Sequence, residues 1–249
     1  MNDAESPDLW DPLRRYTPAR VGLGRSGAAL PVRRLLEFQL AHAQARDAVH
    51  LPVDFRSVRE AADGLPVVEV RSSAPDRTTY LRRPDLGRRV HPDDLALLPE
   101  PDGCELVVVV ADGLSAAAVH RHAGPLLTEL RPRLAAFGAV PVVLASQARV
   151  AIGDEIGERV GARLAVVLVG ERPGLSAADS LGVYLTYAPR VGRRDSERNC
   201  LSNIHPPTGL GHEAAARALA SLITRSLRLG LTGVGLQDDE GPPPIGPAR

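Results

Sequence analysis

Three short runs of apolar residues most constrain the fold of this chain. They lie at residues 105–111, 140–144 and 164–169, and they lack the regular polar alternation of a half-exposed strand. Such runs are typical of strands that are covered on both faces. Helical patterns follow the first and second runs, at residues 126–137 and 154–161. Strands that alternate with helices of this length predict an α/β fold with a parallel, doubly wound sheet.

Further elements flank these runs. Residues 67–70 (VVEV) form a first short strand, and the alternating residues 183–187 are expected to form an edge strand. A last helix is predicted from an apolar stripe that ends before Gly230, a suitable C-cap. The stripe consists of Leu219, Leu222, Ile223, Ser226 and Leu227.

The chain divides into four segments. Residues 1–7 are polar and expected to be disordered, as is the tail at 237–249, which contains three consecutive prolines. Residues 8–60 form a small helical N-terminal part, in which apolar residues recur at helical spacing after Val32. Residues 61–236 form the α/β domain.

Composition excludes several classes of protein. The 30 basic and 30 acidic side chains balance, which argues against a nucleic-acid partner. No apolar stretch approaches the roughly 20 residues needed to cross a bilayer, so no membrane partner is expected. The chain has no lysine, which rules out a lysine Schiff base. Without an apolar signal segment, Cys104 and Cys200 are expected to be reduced thiols in a cytoplasmic protein.

Residues 22–27 match the G-x-G-x-x-G pattern of dinucleotide-binding loops, and Asp47 follows at a suitable distance for a ribose hydroxyl. That pattern requires a buried strand directly before it. Here Pro18 interrupts the preceding residues, and Val21 is the only apolar strand former among them. A glycine-rich loop that packs against a neighbouring chain is favoured, with a free-standing dinucleotide-binding oxidoreductase domain as the alternative.

The loops after the buried strands are the better candidates for a ligand site. Ligands of open α/β sheets bind beyond the carboxyl ends of the strands, where residues 111–115, 149–154 and 169–175 lie. Glu171 leaves a strand end between Gly170 and Pro173, so its carboxylate is suited to accept hydrogen bonds. An ordinary turn with a solvated glutamate is the alternative.

Other polar stretches, among them the expected loop around residues 199–205, are less specific. Cys200 and His205 hint at a thiol and a base, but a small residue that packs against a ligand is the favoured interpretation of Cys200. The arginines of residues 82–89 suit a phosphate or carboxylate, and equally a subunit interface. His120 and His122 are too few for a metal site. The residues alone therefore predict an α/β ligand-binding domain without evident catalytic or metal-binding groups.

Several stretches, taken in order, resemble the small (light) subunit family of ethanolamine ammonia-lyase. The strongest are residues 80–89 (YLRRPDLGRR) and 169–175 (VGERPGL). Others are 19–27 (ARVGLGRSG), 38–47 (FQLAHAQARD), 111–115 (ADGLS), 156–158 (IGE), 187–190 (YAPR) and 199–205 (NCLSNIH). The resemblance runs from about residue 9 to Leu236.

This resemblance implies a Rossmann-like, mostly parallel sheet and a role in a hetero-oligomeric lyase. Such an enzyme converts ethanolamine to acetaldehyde and ammonia by adenosylcobalamin-dependent radical chemistry. The large subunit binds ethanolamine, and the light chain helps to enclose the cofactor at the interface without activity of its own. The family's cobalamin-contacting positions correspond to Val150, Glu171 and Cys200, and no catalytic residue is transferred.

The resemblance leaves other questions open. The helical N-terminal part is expected to pack on the large subunit, with a purely non-catalytic assembly module as a further alternative. Family members often carry a longer N-terminal extension connected with bacterial microcompartments. Few residues precede the resemblance here, so a microcompartment location stays open beside a cytoplasmic one.

Overall fold

A computed structural model describes residues 10–17, 19–101 and 103–236. The disorder predicted for residues 1–7 and 237–249 falls outside this described part. The α-helices are α1 (Asp11–Arg14), α2 (Val32–His50), α3 (Arg56–Ala61), α4 (Arg77–Arg82), α5 (Ala116–Ala118), α6 (Gly124–Leu134), α7 (Ile152–Arg159) and α8 (His212–Leu229). A π-helical turn, Val119–Ala123, joins α5 to α6.

The strands are β1 (Val67–Arg71), β2 (Leu106–Ala111), β3 (Val142–Ser146), β4 (Leu164–Gly170), β5 (Leu181–Tyr187) and β6 (Arg198–Ile204). They form one sheet in the order β1-β3-β2-β4-β5-β6. The first four strands in that order pair in parallel, whereas β4–β5 and β5–β6 pair antiparallel. The α/β prediction is confirmed, but the sheet is mixed rather than simply parallel.

Both faces of the sheet are covered where the apolar runs predicted it. Side chains of β2 alternate between two buried clusters, with Val108 in one and Val109 in the other. The first cluster contains Leu126 and Leu130 of α6, and the second contains Ile156 of α7. The β2–β3 and β3–β4 connections therefore pack their helices on opposite faces.

The edge of the sheet differs from the prediction. Residues 183–187 were expected to form an edge strand, but β5 begins at Leu181 and lies between β4 and β6. The edge strand at this end of the sheet is β6, whose polar residues were interpreted as a loop. Arg198 anchors β6 because its buried guanidinium pairs with Asp154 on α7 at 2.5 Å and with Thr186 on β5 at 2.9 Å.

The helix predictions hold more closely. α2 follows the predicted helical pattern, and α8 ends at Gly230, which adopts the left-handed conformation at φ 69°. Within the described part of the chain, no helix is long and apolar enough to cross a membrane.

Candidate functional site

The loops after β2 and β4 meet at the carboxyl edge of the sheet. The helices that follow β2 and β3 lie on opposite faces of the sheet. The loops that lead into them therefore diverge and leave a crevice between them. Gly113 has a φ of +57°, and a Cβ there would lie 2.2 Å from the carbonyl oxygen of Gly170. A glycine is therefore required for the two loops to pack this closely. Leu114 N–H completes the contact by donating to Gly170 at 2.9 Å.

This crevice is a cleft of about 390 Å³ that contains both Val150 and Glu171. Its walls also include Tyr80, Arg149 and Tyr184. Two of the residues that the resemblance singled out are thus brought to one cavity, although 21 positions separate them in the sequence. We refer to it below as the Glu171 cleft.

Asp112 holds the loop that carries Val150. Its buried carboxylate accepts from the N–H of Ala148 at 2.8 Å and pairs with Arg77 at 3.1 Å. Burial raises the pKa of Asp112 to about 6, while the Ala148 amide and the Arg77 guanidinium act in the opposite direction. The carboxyl end of β2 is thereby tied to the loop between β3 and α7.

Glu171 is held by the strands that follow it. Its carboxylate accepts from the hydroxyl of Ser180 at 2.5 Å, from the hydroxyl of Ser202, and from the N–H of Asn203 at 3.3 Å. The side chain passes over Gly182, where a Cβ would lie 2.8 Å from Oε1. Glu171 is therefore a fixed acceptor rather than the freely solvated side chain of an ordinary turn.

Cys200 lies on β6 directly opposite Tyr184 of β5, and not on a loop as expected. The residue is exposed, yet desolvation of its thiol raises the pKa of Cys200. The pKa of Tyr184 is also raised, chiefly by desolvation and to a lesser extent by the neighbouring Cys200. Because Tyr184 lines the Glu171 cleft, the structure places Cys200 beside the cleft that contains Val150 and Glu171.

The tyrosines of the cleft were missed by the sequence reasoning. Tyr80 is buried, donates its hydroxyl to Ala148 at 3.2 Å, and stacks beneath the guanidinium of Arg149 at 4.6 Å. Tyr184 was visible only as one member of an alternating strand. The signal that could have identified it is its period-two relation to Gly182, which lies on the same face of β5.

The structure does not bring together the residues of the other candidate sites, which were the Cys200–His205 pair and the His120–His122 pair. His205 contacts Asn203 at 2.6 Å and Thr208 at 3.1 Å, and no contact joins it to Cys200 in the described part of the chain. His120 accepts from the N–H of Asp54, whereas His122 contacts His212. Across residues 10–17, 19–101 and 103–236, no group of three or more potential ligands could hold a metal ion.

The glycine-rich loop at residues 22–27 also lacks the preceding buried strand that a dinucleotide-binding loop requires. The element before it is the short helix α1 followed by a turn, and not a buried strand. Gly22, Gly24 and Gly27 have φ values of +60°, +75° and +63°, so the loop is built of left-handed turns. The dinucleotide alternative therefore loses its structural basis. Arg20 instead donates to the carbonyl of Leu175 in the loop after β4.

A larger cavity of about 480 Å³ lies on the other side of Asp112, with Arg77, Ser72 and Gln147 among its lining residues. It contains none of Val150, Glu171 and Cys200. The cleft that contains Val150 and Glu171 is thus the smaller of the two.

Comparison with known proteins agrees with these features. The family model described as the ethanolamine ammonia-lyase light chain (EutC) matches residues 7–237. An ethanolamine ammonia-lyase small subunit from Rhodococcus erythropolis is 49% identical over 244 residues, covering 96% of this chain and 94% of its own length. The small subunit from Bradyrhizobium diazoefficiens is 55% identical over 234 residues, covering 91% of this chain and 89% of its own. The chain therefore belongs to the ethanolamine ammonia-lyase light-chain family.

Proposed function

We propose that this chain is the small subunit of an adenosylcobalamin-dependent ethanolamine ammonia-lyase, which converts ethanolamine to acetaldehyde and ammonia. Its family membership over residues 7–237 is the observation that carries the proposal. The large subunit binds ethanolamine and performs the reaction, so the isolated chain is inactive. When bound, adenosylcobalamin supplies the radical chemistry, and this chain binds, orients and shields it.

The parallel part of the sheet supports a Rossmann-like, doubly wound domain over residues 61–236. Its strand order β1-β3-β2-β4 reverses at β2, and its crossover helices α6 and α7 pack on opposite faces. In folds of this kind, the crevice at the reversal is the usual ligand site. The Glu171 cleft occupies that position here.

The residues of the cleft fit a corrin, which is an apolar disc fringed with amides. Val150, Tyr184 and Cys200 offer dispersion contacts across a partly open face of the sheet. Glu171 accepts three hydrogen bonds within the chain, and a carboxylate can accept about four, which leaves capacity for an amide N–H.

The helical N-terminal part, residues 8–60, is proposed to pack on the large subunit. α2 buries only Ala41 and Ala48 of its 19 residues, while Leu36 and Leu40 are 58% and 60% exposed. Apolar side chains on an exposed helix are typical of a protein–protein interface. Neither buried cluster of the sheet contains a residue of α2, so this helix contributes little to the sheet core.

The two free thiols, Cys104 and Cys200, support a cytoplasmic location, where cysteines stay reduced. A bacterial microcompartment within the cytoplasm is compatible with the same chemistry.

Co-expression of this chain with the large subunit encoded by the same genome tests the proposal. We expect the co-purified complex to bind adenosylcobalamin with its characteristic absorbance and to release acetaldehyde from ethanolamine, while the lone chain does neither. Glu171→Gln should weaken cobalamin binding, and Glu100→Gln, at an exposed position without side-chain contacts in the described chain, should not. A complex that forms no acetaldehyde would refute the proposal.

The alternatives give different results in the same experiment. A purely assembling subunit would keep its cobalamin affinity in Glu171→Ala, although deletion of residues 10–50 would dissolve the complex. A dinucleotide-dependent oxidoreductase would bind NAD(P) tightly as the lone chain.

A further inference from the structure

A second cavity adjoins the Glu171 cleft on the other side of Val150. It measures about 360 Å³ and is lined by Arg88, Arg149, Val150, Tyr184, Arg193 and Arg194, with Ala151 and Asp195. Arg149, Val150 and Tyr184 also line the Glu171 cleft, so the two cavities are neighbours across shared walls. We call the second one the arginine pocket.

The arginine pocket carries an excess of positive charge. Four of its lining residues are arginines and one is a carboxylate, Asp195. Asp195 is 98% exposed and lies 3.6 Å from Nε of Arg198. Glu197 neutralises Arg193 at 2.5 Å. Glu197 also accepts from the backbone N–H of Arg194 at 2.7 Å. Within residues 10–17, 19–101 and 103–236, no carboxylate lies within ion-pair distance of the guanidinium groups of Arg88, Arg149 and Arg194.

The fold holds the side chain of Arg149 in place and positions the backbone of Arg88 beside it. The guanidinium of Arg149 stacks on the ring of Tyr80 at 4.6 Å and donates from Nη2 to the Tyr80 carbonyl at 3.2 Å. The backbone N–H of Arg149 donates to Gly87 at 2.8 Å, in the short 3₁₀ turn that carries Arg88. Arg88 and Arg149 thus enter the pocket from two segments that are hydrogen-bonded to each other.

Arginines in this arrangement suit a phosphate group. The planar guanidinium presents paired N–H donors that match phosphate oxygens, and a guanidinium already ordered by stacking loses less entropy on binding. The corrin fringe of cobalamin consists of neutral amides, whereas its nucleotide tail contains an anionic phosphodiester. The arginine pocket is cationic and lies directly beside the cleft proposed for the corrin.

We propose that the arginine pocket binds the phosphodiester of the cofactor's nucleotide tail, with Arg88, Arg149 and Arg194 as its donors. The assignment rests on the proposed function, since it takes cobalamin as the ligand of the Glu171 cleft. Val150 and Tyr184 then separate two subsites, one for the corrin and one for the phosphate.

Equilibrium binding to the complete complex tests this assignment without measuring activity. The probes are cyanocobalamin, dicyanocobinamide phosphate and dicyanocobinamide, the last of which lacks the phosphate. The wild-type complex should bind cobinamide phosphate more tightly than cobinamide. Arg88→Ala and Arg194→Ala should each weaken cobalamin and cobinamide phosphate by roughly tenfold and leave cobinamide unchanged.

Arg82→Ala is the matched control, because Arg82 is an exposed arginine of the same sequence stretch that does not line the pocket. Arg149→Lys should keep part of the phosphate preference by retaining the charge. Raising the salt concentration should reduce the preference in the wild type more than in the arginine variants.

The contrary outcomes are distinct. Equal losses for cobinamide and cobinamide phosphate, or no loss for either, would overturn the phosphate site and leave the cofactor proposal standing. Another contrary outcome is that the variants lose complex assembly, while the complex that still forms keeps its preference for phosphate. That result would show that the arginines contact the large subunit rather than the phosphate, and it would overturn the phosphate site as well. A complex that binds none of the three probes would refute the proposed function, and the phosphate site with it.

Discussion

The carboxylate of Glu171 lies against the backbone of Gly182, so that a Cβ at position 182 would sit 2.8 Å from Oε1 and 3.1 Å from Cγ. The absence of a side chain at 182 is what allows Glu171 to reach Ser180 and Ser202 together. The position of the cleft's acceptor therefore depends on a residue of the neighbouring strand.

Gly182→Ala should displace Glu171 and weaken cobalamin binding by the complex roughly tenfold. Because the methyl group meets a flexible side chain, the free energy of unfolding should fall by only about 1–3 kcal/mol. A cobalamin titration and urea unfolding measure the two effects. Gly211→Ala is the control, since a Cβ at position 211 meets no atom within 4 Å. Unchanged cobalamin affinity in Gly182→Ala would show that the placement of Glu171 does not matter for binding.

Replacing the two exposed leucines of α2 should separate assembly from stability. Leu36→Asp combined with Leu40→Asp should leave the unfolding of the lone chain within about 0.5 kcal/mol of wild type, because both side chains already face solvent. The same variant should fail to co-purify with the large subunit. Recovery of a normal complex would mean that α2 is not part of the interface.

Removal of Arg198 should destabilise the edge of the sheet. Its side chain and that of Asp154 are 1% and 3% exposed, so Arg198→Ala leaves a buried charge without its partner, at a cost of about 3–5 kcal/mol in unfolding free energy. Arg163→Ala removes a half-exposed pair with Glu105 and should cost less than about 1 kcal/mol. Urea denaturation compares the two, and similar losses for both would contradict the anchoring role of Arg198.

His122 and His212 should contribute a loss of stability as the pH falls below about 6.5. Asp112 opposes this loss in the same range, because its raised pKa of about 6 favours the folded state as the carboxylate is protonated. Desolvation lowers the pKa of both His122 and His212, and Nδ1 of His122 lies 3.1 Å from Nε2 of His212. A histidine with a lowered pKa in the folded state favours folding while it is neutral. That contribution is present above the unfolded pKa and is lost as the pH falls towards the folded value.

Urea unfolding from about pH 7.5 to about pH 5.5 should reveal this slope, and His212→Gln should reduce it by removing one titrating ring. His42→Gln, at an exposed position, serves as the control. If His212→Gln keeps the full wild-type slope, other groups cause the pH dependence.

The buried strands were predictable because each is an uninterrupted apolar run, and burial on both faces requires such a run. β6 was not, because its core-facing residues Leu201 and Ile204 stand three apart among polar residues, across a shift in the register with β5, and so show no period-two pattern. Burial of Arg198, which a sequence pattern would place on the surface, depends on Asp154 meeting it from another element.

The candidate site divides in the same way. Val150, Glu171 and Cys200 were identified from resemblance, and the rule that ligands bind at strand ends pointed independently to the loops of Val150 and Glu171. Their proximity depends on strand order, since β4 pairs with β2 rather than with β3. Tyr184 became part of the site only through the antiparallel register that sets it opposite Cys200.

Sequence alone determined the α/β class, the buried strands and the family, because hydrophobic periodicity and ordered motifs are local properties of the chain. Tertiary structure decided the antiparallel strands at one end of the sheet and the arginine pocket beside Val150. It also decided the position of Glu171, which Ser180 and Ser202 bind and for which Gly182 leaves room. Those features arise from contacts between segments distant in sequence, and such contacts are set by strand pairing and packing, which no local pattern encodes.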